Sequence, residues 1–262
     1  MDRPNIDMKE RKNMIYFIGA GPGAADLITV RGAELLKKAD VIIYAGSLVN
    51  PQLLDYAKEE CDIFNSAHMT LEEVIDVMEK NFDKTVVRLH TGDPCIYGAI
   101  REQMDILDEK KMEYEYVPGV SSFIGAASAL KAEYTLPDVS QTVILTRMAG
   151  RTPVPAEEEI SKLAAHGATM VVFLTSTMLE ELQERLMAGG YAPDSPAAIV
   201  YRATWPDQKV IRTTVNNIAK AAADNGINKM ALIMVGGFLG DRYDRSKLYD
   251  PEFTHLFREA SK

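Results

Sequence analysis

Three glycine-rich segments carry the groups in this chain that are best suited to hold a small molecule. They are GAGPG at residues 19–23, HTGDPCIYG at 90–98 and VPGVSS at 117–122, and each follows a short apolar run. Loops without large side chains at the carboxyl edge of a parallel sheet let backbone N–H groups approach a ligand closely. One such loop is by default a turn, but three at one edge indicate a composite ligand pocket.

A nicotinamide dinucleotide is the first ligand to consider for such an edge. Gly19, Gly21 and Ala24 can be fitted to the G-x-G-x-x-A pattern of dinucleotide-binding folds. Pro22, however, removes a backbone donor where the pyrophosphate needs one. The acidic residue that binds the ribose is also missing, because the second apolar run, VIIY, is followed by Ala45. A NAD-binding Rossmann protein therefore stays a minor alternative.

The order of elements along the chain predicts two α/β domains. In the first half, apolar runs alternate with segments of helical periodicity, PQLLDYAKEE among them, which is typical of a mostly parallel sheet covered by helices. Thr70 and Glu73 have the spacing of a capping box at a helix start. In the second half, AAIVYRAT and QKVIRTTV flank WPD and predict a hairpin, so we expect a smaller domain with a mixed sheet. Helices are predicted there at 157–165, 179–188 and 215–225.

Pro137 and its polar neighbours mark a break between these halves, and both ends of the chain are polar. The predicted organisation is a flexible N-terminal extension at 1–13, an N-terminal α/β domain at 14–132, a linker at 133–141, a C-terminal α/β domain at 142–240 and a surface tail at 241–262.

Composition excludes several classes of function. The net charge of −9 over 262 residues argues against a nucleic-acid partner, because such binding depends on many Lys and Arg contacts to phosphate. No apolar run approaches the about 20 residues that cross a bilayer, and the first thirteen residues lack the apolar stretch of a signal peptide. The four histidines have no metal-ligand spacing, so we expect no metal site. Cys61 and Cys95 lack C-x-x-C spacing, which fits a reducing cytoplasm.

Taken together, these motifs resemble the tetrapyrrole methylase family. GAGPG followed by LITVRGAELLKKADVIIY, then GDPCIYG and VPGVSS, span the first half, and their combination is far more specific than any one part. AGSLVNP, QTVILTRMAGRTPVP, AAIVYRATWPDQKVIRTTV and RSKLYDPEFTHLFR extend the similarity to nearly the full chain. These later segments are similar to the branch of corrin biosynthesis that methylates C(11) of precorrin-4 or cobalt-precorrin-4. The resemblance implies a C-methyltransferase that binds S-adenosylmethionine in the cleft between two α/β domains and releases S-adenosylhomocysteine.

The resemblance also implies a set of cofactor contacts. For Asp93, a helix N-cap is an alternative that is compatible with ligand contact. For Leu174 and Gly236, core packing and close strand approach are the alternatives. The implied cofactor-binding residues are Pro22, Thr91, Gly92, Asp93, Ile96, Ser121, Ser122, Leu174, Ala203 and Gly236.

One position separates the branches of the family. Relatives that methylate uroporphyrinogen have Asp after the tyrosine of the second strand, where it is assigned a base role, but here Tyr44 is followed by Ala45. This favours the precorrin-4 branch over a uroporphyrinogen, ribosomal RNA or protein substrate. Methylation at a ring carbon that becomes quaternary leaves no C–H proton to remove, so no general base is assigned. The sequence leaves open whether the substrate holds cobalt, and the resemblance implies a homodimer.

A substrate with several acetate and propionate groups needs a local positive field on this acidic protein. Among the basic segments, the TRMAGRTPVP loop is the most specific candidate for this role, because a basic loop after a strand is suited to bind carboxylates. The alternative is that this loop is a solvated surface turn. Ser47 and Tyr97 are hypothesised to orient substrate or cofactor by hydrogen bonds. The candidate substrate-binding residues are Ser47, Arg88, His90, Tyr97, Arg101, Arg147 and Arg151, with Arg202 and Lys209 as further basic candidates.

Overall fold

The computed structural model describes residues 13–261, and the chain divides into two compact units between Ile124 and Gly125. Of the predicted N-terminal extension, residues 1–12 lie outside the described residues. Both units are α/β, with an all-parallel sheet in the first and a mixed sheet in the second, which confirms the predicted fold class.

The first sheet has five strands in the order β3-β2-β4-β1-β5, and every neighbouring pair is parallel. The central strands β1 and β4 are buried along all five residues, as expected for strands that are covered on both faces. Their carboxyl ends meet at one edge, where the three glycine-rich segments leave the sheet. The strands are β1 (Ile15–Gly19), β2 (Val41–Tyr44), β3 (Asp62–Asn65), β4 (Val86–His90) and β5 (Tyr114–Val117).

Helices cover both faces of this sheet. Alternate residues of β1 point to opposite faces, so that Ile18 packs in one buried cluster and Phe17 in another. The capping box is confirmed, because the Thr70 hydroxyl accepts the N–H of Glu73 and the Glu73 carboxylate accepts the N–H of Thr70. The predicted helix in PQLLDYAKEE is shorter than expected, a 3-10 helix over Pro51–Tyr56. These helices are α1 (Val30–Lys38), α2 (Leu71–Lys80) and α3 (Arg101–Glu109), and the division between the units falls within the next helix, α4 (Ser122–Leu130).

The second sheet has the order β6-β7-β10-β8-β9. Only β6 and β7 are parallel neighbours, and β10 runs antiparallel to both β7 and β8. The predicted hairpin is confirmed, since Pro196 to Tyr201 pair with Thr214 to Lys209 in antiparallel register. The strands are β6 (Val143–Arg147), β7 (Thr169–Phe173), β8 (Pro196–Tyr201), β9 (Lys209–Thr214) and β10 (Ala231–Val235).

Three helices pack on the second sheet, and one of them has the predicted bounds. The prediction of 179–188 matches α6, whereas the helices predicted at 157–165 and 215–225 each begin as a 3-10 turn and become α-helical later. Within residues 13–261, every helix is too short or too polar to cross a membrane. The helices are α5 (Ile160–Ala164), α6 (Leu179–Ala188) and α7 (Ile218–Asp224).

The segment predicted as a linker, 133–141, lies within the second unit by this division. The Thr169 hydroxyl donates to the carbonyl of Tyr134 at 2.9 Å, and the ring of Tyr134 lies edge-on to Phe238 with the ring centroids 5.1 Å apart. The segment is therefore packed against the start of β7 and the end of β10. The domain bounds 14–132, 142–240 and 241–262 stay predictions.

Candidate functional site

The first two glycine-rich segments are joined directly by their backbones. The N–H of Gly21 donates to the carbonyl of Gly92 at 3.2 Å, and the N–H of Gly92 donates to the carbonyl of Gly21 at 2.9 Å. The N–H of Ala20 also donates to the carbonyl of His90 at 2.7 Å. The loops after β1 and β4 therefore form one backbone platform at the sheet edge, as the sequence predicted.

Glycine is required where the third segment joins this platform. A Cβ atom on Gly119 would lie 2.3 Å from the carbonyl oxygen of Gly92 and 2.6 Å from Cα of Gly19. A Cβ atom on Gly19 would lie 2.5 Å from Cα of Gly119. Both separations are far below van der Waals contact, so any larger residue would force the loops apart. We call this meeting point of Gly19, Gly92 and Gly119 the glycine junction.

Asp93 ties the same loops together with its side chain. Its Oδ1 atom accepts the N–H of Cys95 at 2.8 Å and the hydroxyl of Tyr116, and its Oδ2 atom accepts the N–H of Gly119 at 2.7 Å. Burial acts to raise the pKa of Asp93, but the hydrogen bonds from Cys95, Tyr116 and Gly119 outweigh it and hold the pKa below its usual value. Asp93 is therefore an ionised clamp between loops rather than the cap of an α-helix.

The predicted cofactor residues of the first unit come together around the junction. The position that a Cβ atom would take on Gly92 is 3.3 Å from the nitrogen of Ser122 and 3.4 Å from Cα of Ser121. Pro22 is buried next to the Gly21 bridge, whereas Thr91 is exposed beside Gly92. The N–H of Ile96 donates to the carbonyl of Asp93 at 3.2 Å. The structure thus brings small residues of all three segments together beside Gly92.

The segment after Asp93 is conformationally strained. Tyr97 and Ala99 have φ values of 56° and 48°, in the left-handed region that non-glycine residues rarely adopt. A Cβ atom on Gly98, between them, would lie 2.1 Å from the carbonyl oxygen of Pro94. Tyr97 remains 45% exposed at this turn. We call residues 94–99 the strained turn.

Two basic candidates of the first unit lie inside the protein rather than on a substrate-binding surface. Arg88 and His90 are 6% and 3% exposed, respectively, so neither side chain is available to capture a substrate carboxylate from solvent in this conformation. The Arg88 guanidinium donates to the side chain of Gln103 and to the carbonyl of Ile43, both at 3.2 Å. Burial lowers the pKa of Arg88 to about 10, and burial together with the nearby Arg88 charge lowers the pKa of His90 to about 3. His90 is therefore neutral.

Ser47 and Arg101 lie at the surface of the first unit. Ser47 is exposed in the turn after β2, and Asn50 connects this region to the GAGPG loop through a 2.8 Å hydrogen bond to the carbonyl of Gly23. Arg101 begins α3 and forms an ion pair with Asp105 on the same helix at 2.7 Å, with its side chain 85% exposed. Asn50 is a connection that the sequence analysis missed, although Asn before Pro51 is a common turn signal.

In the second unit, Leu174 and Ala203 lie at one edge of the sheet. They follow β7 and β8, which run in the same direction because both are antiparallel to β10. The beginning of β10 lies at this edge as well, since the N–H of Arg202 donates to the carbonyl of Met230 at 2.9 Å. Leu174 is 67% exposed, so it offers an apolar surface at this edge, whereas Ala203 is buried.

The structure does not bring Gly236 together with these residues. Gly236 follows β10, and its N–H donates to the carbonyl of Pro196 at the start of β8. Five residues of an antiparallel strand, about 17 Å, separate it from the edge that holds Leu174 and Ala203. Gly236 therefore lies at the opposite end of β10 from the edge that holds Leu174 and Ala203, and its role in cofactor binding stays a prediction. The sequence analysis did not predict the direction of the last strand.

The edge with Leu174 is also strained. Leu174, Arg202, Thr204 and Met230 have φ values of 52°, 45°, 68° and 53°. These residues are not glycines, and each left-handed conformation costs about 1–2 kcal/mol. Strain of this kind concentrates at ligand sites, which agrees with a binding function for this edge.

The basic residues of the second unit differ in how they are engaged. The Arg202 guanidinium pairs with Asp207 at 2.5 Å and lies over the Trp205 ring at 4.1 Å from its centroid, so it stabilises its own turn. Arg147 donates to the carbonyls of Met148, Thr152 and Pro153, and so closes the TRMAGRTPVP loop on itself.

Arg151 stands at the exposed tip of that loop. Within the part of the chain that the structure describes, its side chain forms no ion pair. Lys209 donates to the carbonyl of Asn225 at 3.0 Å. Arg151 is therefore the basic candidate of the second unit that is best placed to bind an anion. Among residues 13–261, no group of three or more His, Cys, Asp or Glu side chains has the arrangement of a metal site.

Comparison with known proteins gives a consistent result. Residues 14–219 match the family model for tetrapyrrole (corrin/porphyrin) methylases. The chain is 50% identical over 256 residues to the cobalt-precorrin-4 C(11)-methyltransferase of Methanocaldococcus jannaschii, which covers 97% of this chain and 99% of that protein. It is 42% identical over 247 residues to the precorrin-4 C(11)-methyltransferase of Pseudomonas aeruginosa, which covers 93% of this chain and 98% of that protein.

A solved structure agrees with these relatives. The X-ray structure of a cobalamin biosynthetic enzyme, cobalt precorrin-4 methyltransferase, superposes with a TM-score of 0.85 at 47% sequence identity. The superposition covers 87% of this chain and 96% of that one. The similarity therefore extends through both α/β units.

Proposed function

Since the chain belongs to the tetrapyrrole (corrin/porphyrin) methylases, we propose that it transfers a methyl group from S-adenosylmethionine to C(11) of cobalt-precorrin-4 in cobalamin biosynthesis. The observation that carries the proposal is 50% identity to a cobalt-precorrin-4 C(11)-methyltransferase over almost the full length of both proteins. The absence of an acidic residue after Tyr44 supports this branch over the one that methylates uroporphyrinogen.

The residues around the glycine junction suit the cofactor in their chemistry. A sulfonium nucleoside with an amino-acid end needs backbone donors and acceptors, small hydroxyls and close approach without side chains. Thr91, Ser121 and Ser122 lie beside Gly92, and their hydroxyls are candidates to bind the polar groups of the cofactor. In the second unit, exposed Leu174 supplies apolar surface for a base. We therefore propose Pro22, Thr91, Gly92, Asp93, Ile96, Ser121, Ser122, Leu174 and Ala203 as cofactor-site residues.

The residues of this chain contribute orientation rather than proton transfer. The cofactor supplies an activated methyl group, which an electron-rich ring carbon attacks in line with the departing sulfur. A ring carbon that becomes quaternary has no proton to lose. Asp93 is occupied by three donors, and His90 is buried and neutral, so neither side chain acts as a base. The proposed part of the protein in the reaction is therefore to hold the acceptor carbon in line with the methyl group.

The exposed basic loop is proposed to bind the carboxylates of the substrate. Arg151→Ala is expected to raise the KM for the tetrapyrrole about three- to tenfold with kcat unchanged, since it removes one solvent-exposed charge contact. Steady-state kinetics measure both constants, and Lys220→Ala, at an exposed position of α7, is the control. An unchanged KM for Arg151→Ala would remove this residue from the substrate site.

A second candidate substrate is metal-free precorrin-4, because a relative named for that reaction is 42% identical. The two candidates are separated by incubating the protein with S-adenosylmethionine and each substrate, and measuring initial rates of methyl transfer. A higher kcat/KM with the cobalt complex supports the main proposal. A higher kcat/KM with the metal-free substrate would establish the alternative.

We also propose that the enzyme is a cytoplasmic homodimer. Cys61 and Cys95 are both free thiols, which agrees with a reducing compartment. Light scattering after size-exclusion chromatography tests the assembly. The mass of two chains is expected, and the mass of one chain would contradict the homodimer.

A further inference from the structure

Arg88 is a buried cation that binds only neutral partners in the described structure. It lies in the centre of the sheet on β4, is 6% exposed, and donates its Nε–H to Oε1 of Gln103 and one terminal N–H to the carbonyl of Ile43, both at 3.2 Å. Within residues 13–261 it forms no ion pair. Burying a charge without an opposite charge is unfavourable, so these two hydrogen bonds must be held in place by the surrounding fold.

Gln103 carries the connection from Arg88 to the strained turn. It is 5% exposed on α3, its Oε1 atom accepts from Arg88, and its Nε2 atom donates to the carbonyl of Ala99 at 2.8 Å. Ala99 is a left-handed residue of that turn, and Asp93 immediately precedes the turn. A single amide therefore links a buried cation in the sheet to the loop that carries the proposed cofactor residues.

The second hydrogen bond of Arg88 reaches the adjacent strand. Ile43 is the penultimate residue of β2, and β2 leads into the turn that presents Ser47. Arg88 thus joins the end of β2 to Gln103 of α3 through one guanidinium, whose planar geometry fixes the angle between its hydrogen bonds. A lysine has no such geometry.

We propose that Arg88 and Gln103 are positioning residues, which hold the strained turn and the exit of β2 so that the cofactor site has its binding geometry. This assignment replaces substrate-carboxylate binding by Arg88, and it rests on the proposed function of the glycine junction. Gln103 provides both an acceptor for Arg88 and a donor for the carbonyl of Ala99, whereas an ionised carboxylate at this position would provide only the acceptor.

Two variants separate the contacts of Gln103. Gln103→Glu keeps the acceptor for Arg88, whose charge keeps the new carboxylate ionised, but loses the donor to Ala99. Gln103→Met loses both. Gln183→Met is the matched control, because Gln183 is a partly buried helical glutamine of the second unit that accepts the N–H of Ala219. Hydrogen exchange of residues 95–101, thermal unfolding and calorimetry with S-adenosylhomocysteine are measured for all four proteins.

We expect amide hydrogens of residues 95–101 to exchange about tenfold faster in both Gln103 variants than in the unchanged protein. We also expect both variants to bind S-adenosylhomocysteine about tenfold more weakly, because the groups that bind it are no longer held in place. Gln183→Met is expected to lower the unfolding temperature without either effect. Exchange and affinity that stay unchanged in Gln103→Glu would overturn the proposal. If the unchanged protein itself fails to bind S-adenosylhomocysteine, the proposed function fails, while the exchange rates still decide whether Gln103 holds the turn.

Discussion

The two units use different backbone chemistry at the edges that are proposed to bind the cofactor. In the first unit, three loops approach each other through Gly19, Gly92 and Gly119, at positions where a Cβ atom on Gly19 or Gly119 would collide with backbone. In the second unit, the corresponding edge holds left-handed residues with full side chains, Leu174 and Met230 among them. The close approach in the first unit is made by glycines without steric strain, and left-handed side chains occur there only in the adjacent strained turn, at Tyr97 and Ala99. In the second unit, the edge itself consists of left-handed residues that keep their side chains at the cost of strain.

This difference explains why the two edges respond differently to substitution. At the glycine junction, an added methyl group has no space, so substitutions should destabilise the fold and the site together. At Leu174, the side chain is exposed and the backbone is strained, so its removal should relieve strain while it removes binding surface. Stability and binding should therefore change together in the first unit and in opposite directions in the second.

The largest effect is expected at the junction. Gly119→Ala places a Cβ atom 2.3 Å from the carbonyl oxygen of Gly92, and should lower the free energy of unfolding by about 4 kcal/mol and abolish S-adenosylhomocysteine binding. Urea denaturation and calorimetry measure the two effects. Gly167→Ala is the control, because nothing lies within 4 Å of the Cβ position of Gly167, so its added methyl group meets no backbone and only its positive φ of 60°, which Gly119 does not share, opposes the substitution. Gly167→Ala should lower the free energy of unfolding by only about 1 kcal/mol. Equal losses in both variants would contradict the close approach at the junction.

A smaller effect is expected from the carboxylate clamp. In Asp93→Asn, a carboxylate that accepts three hydrogen bonds is replaced by an amide, whose NH₂ group must then face one of the three donors. We expect this variant to lower the free energy of unfolding by about 2.5 kcal/mol near neutral pH. Asp83→Asn, at an exposed position, is the control and should change the free energy of unfolding by less than about 0.5 kcal/mol.

The effect of Asp93→Asn should depend on pH in a defined direction. The pKa of Asp93 is lowered in the folded protein, so its contribution to stability is complete above its unfolded pKa of about 3.9 and is lost as the pH falls through the folded value. The difference in unfolding free energy between wild type and variant should be constant from about pH 5 to 7 and shrink below about pH 4. A difference that grows on acidification would contradict an ionised clamp.

The smallest effect is expected at Leu174, and its sign is opposite. Leu174→Gly removes a left-handed leucine with a φ of 52° and should raise the free energy of unfolding by about 1 kcal/mol. The same variant should weaken S-adenosylhomocysteine binding several-fold, because it removes exposed apolar surface.

Lys131→Gly is the matched control for Leu174→Gly. Lys131 has the same φ of 52°, lies after α4 and belongs to neither proposed binding edge. The Lys131→Gly variant should gain a similar free energy of unfolding, and its affinity for S-adenosylhomocysteine should stay unchanged. Stabilisation of Leu174→Gly without loss of affinity would remove this residue from the cofactor site.

The features that local chemistry determines could be predicted from the sequence. The capping box of Thr70 and Glu73, the bounds of α6 and the glycine-rich loops at one edge each depend on neighbouring residues or on the direction of a parallel sheet. The end of the sheet at which Gly236 lies depends on whether β10 runs parallel or antiparallel to β7 and β8. A short buried strand has the same apolar pattern in either orientation, so the sequence did not predict this position. The burial of Arg88 was also not predictable, because its partners Ile43 and Gln103 are distant in the sequence or on another element.

The central claim is methyl transfer to C(11) of a precorrin, and one measurement tests it most directly. The protein is incubated with S-adenosylmethionine and precorrin-4, with and without cobalt, and the product is analysed by mass spectrometry and by NMR at the ring carbons. We expect the mass of one added methyl group, a quaternary C(11), and the higher rate with the cobalt complex. No mass change with either substrate, or a methyl group at another carbon, would contradict the proposed function.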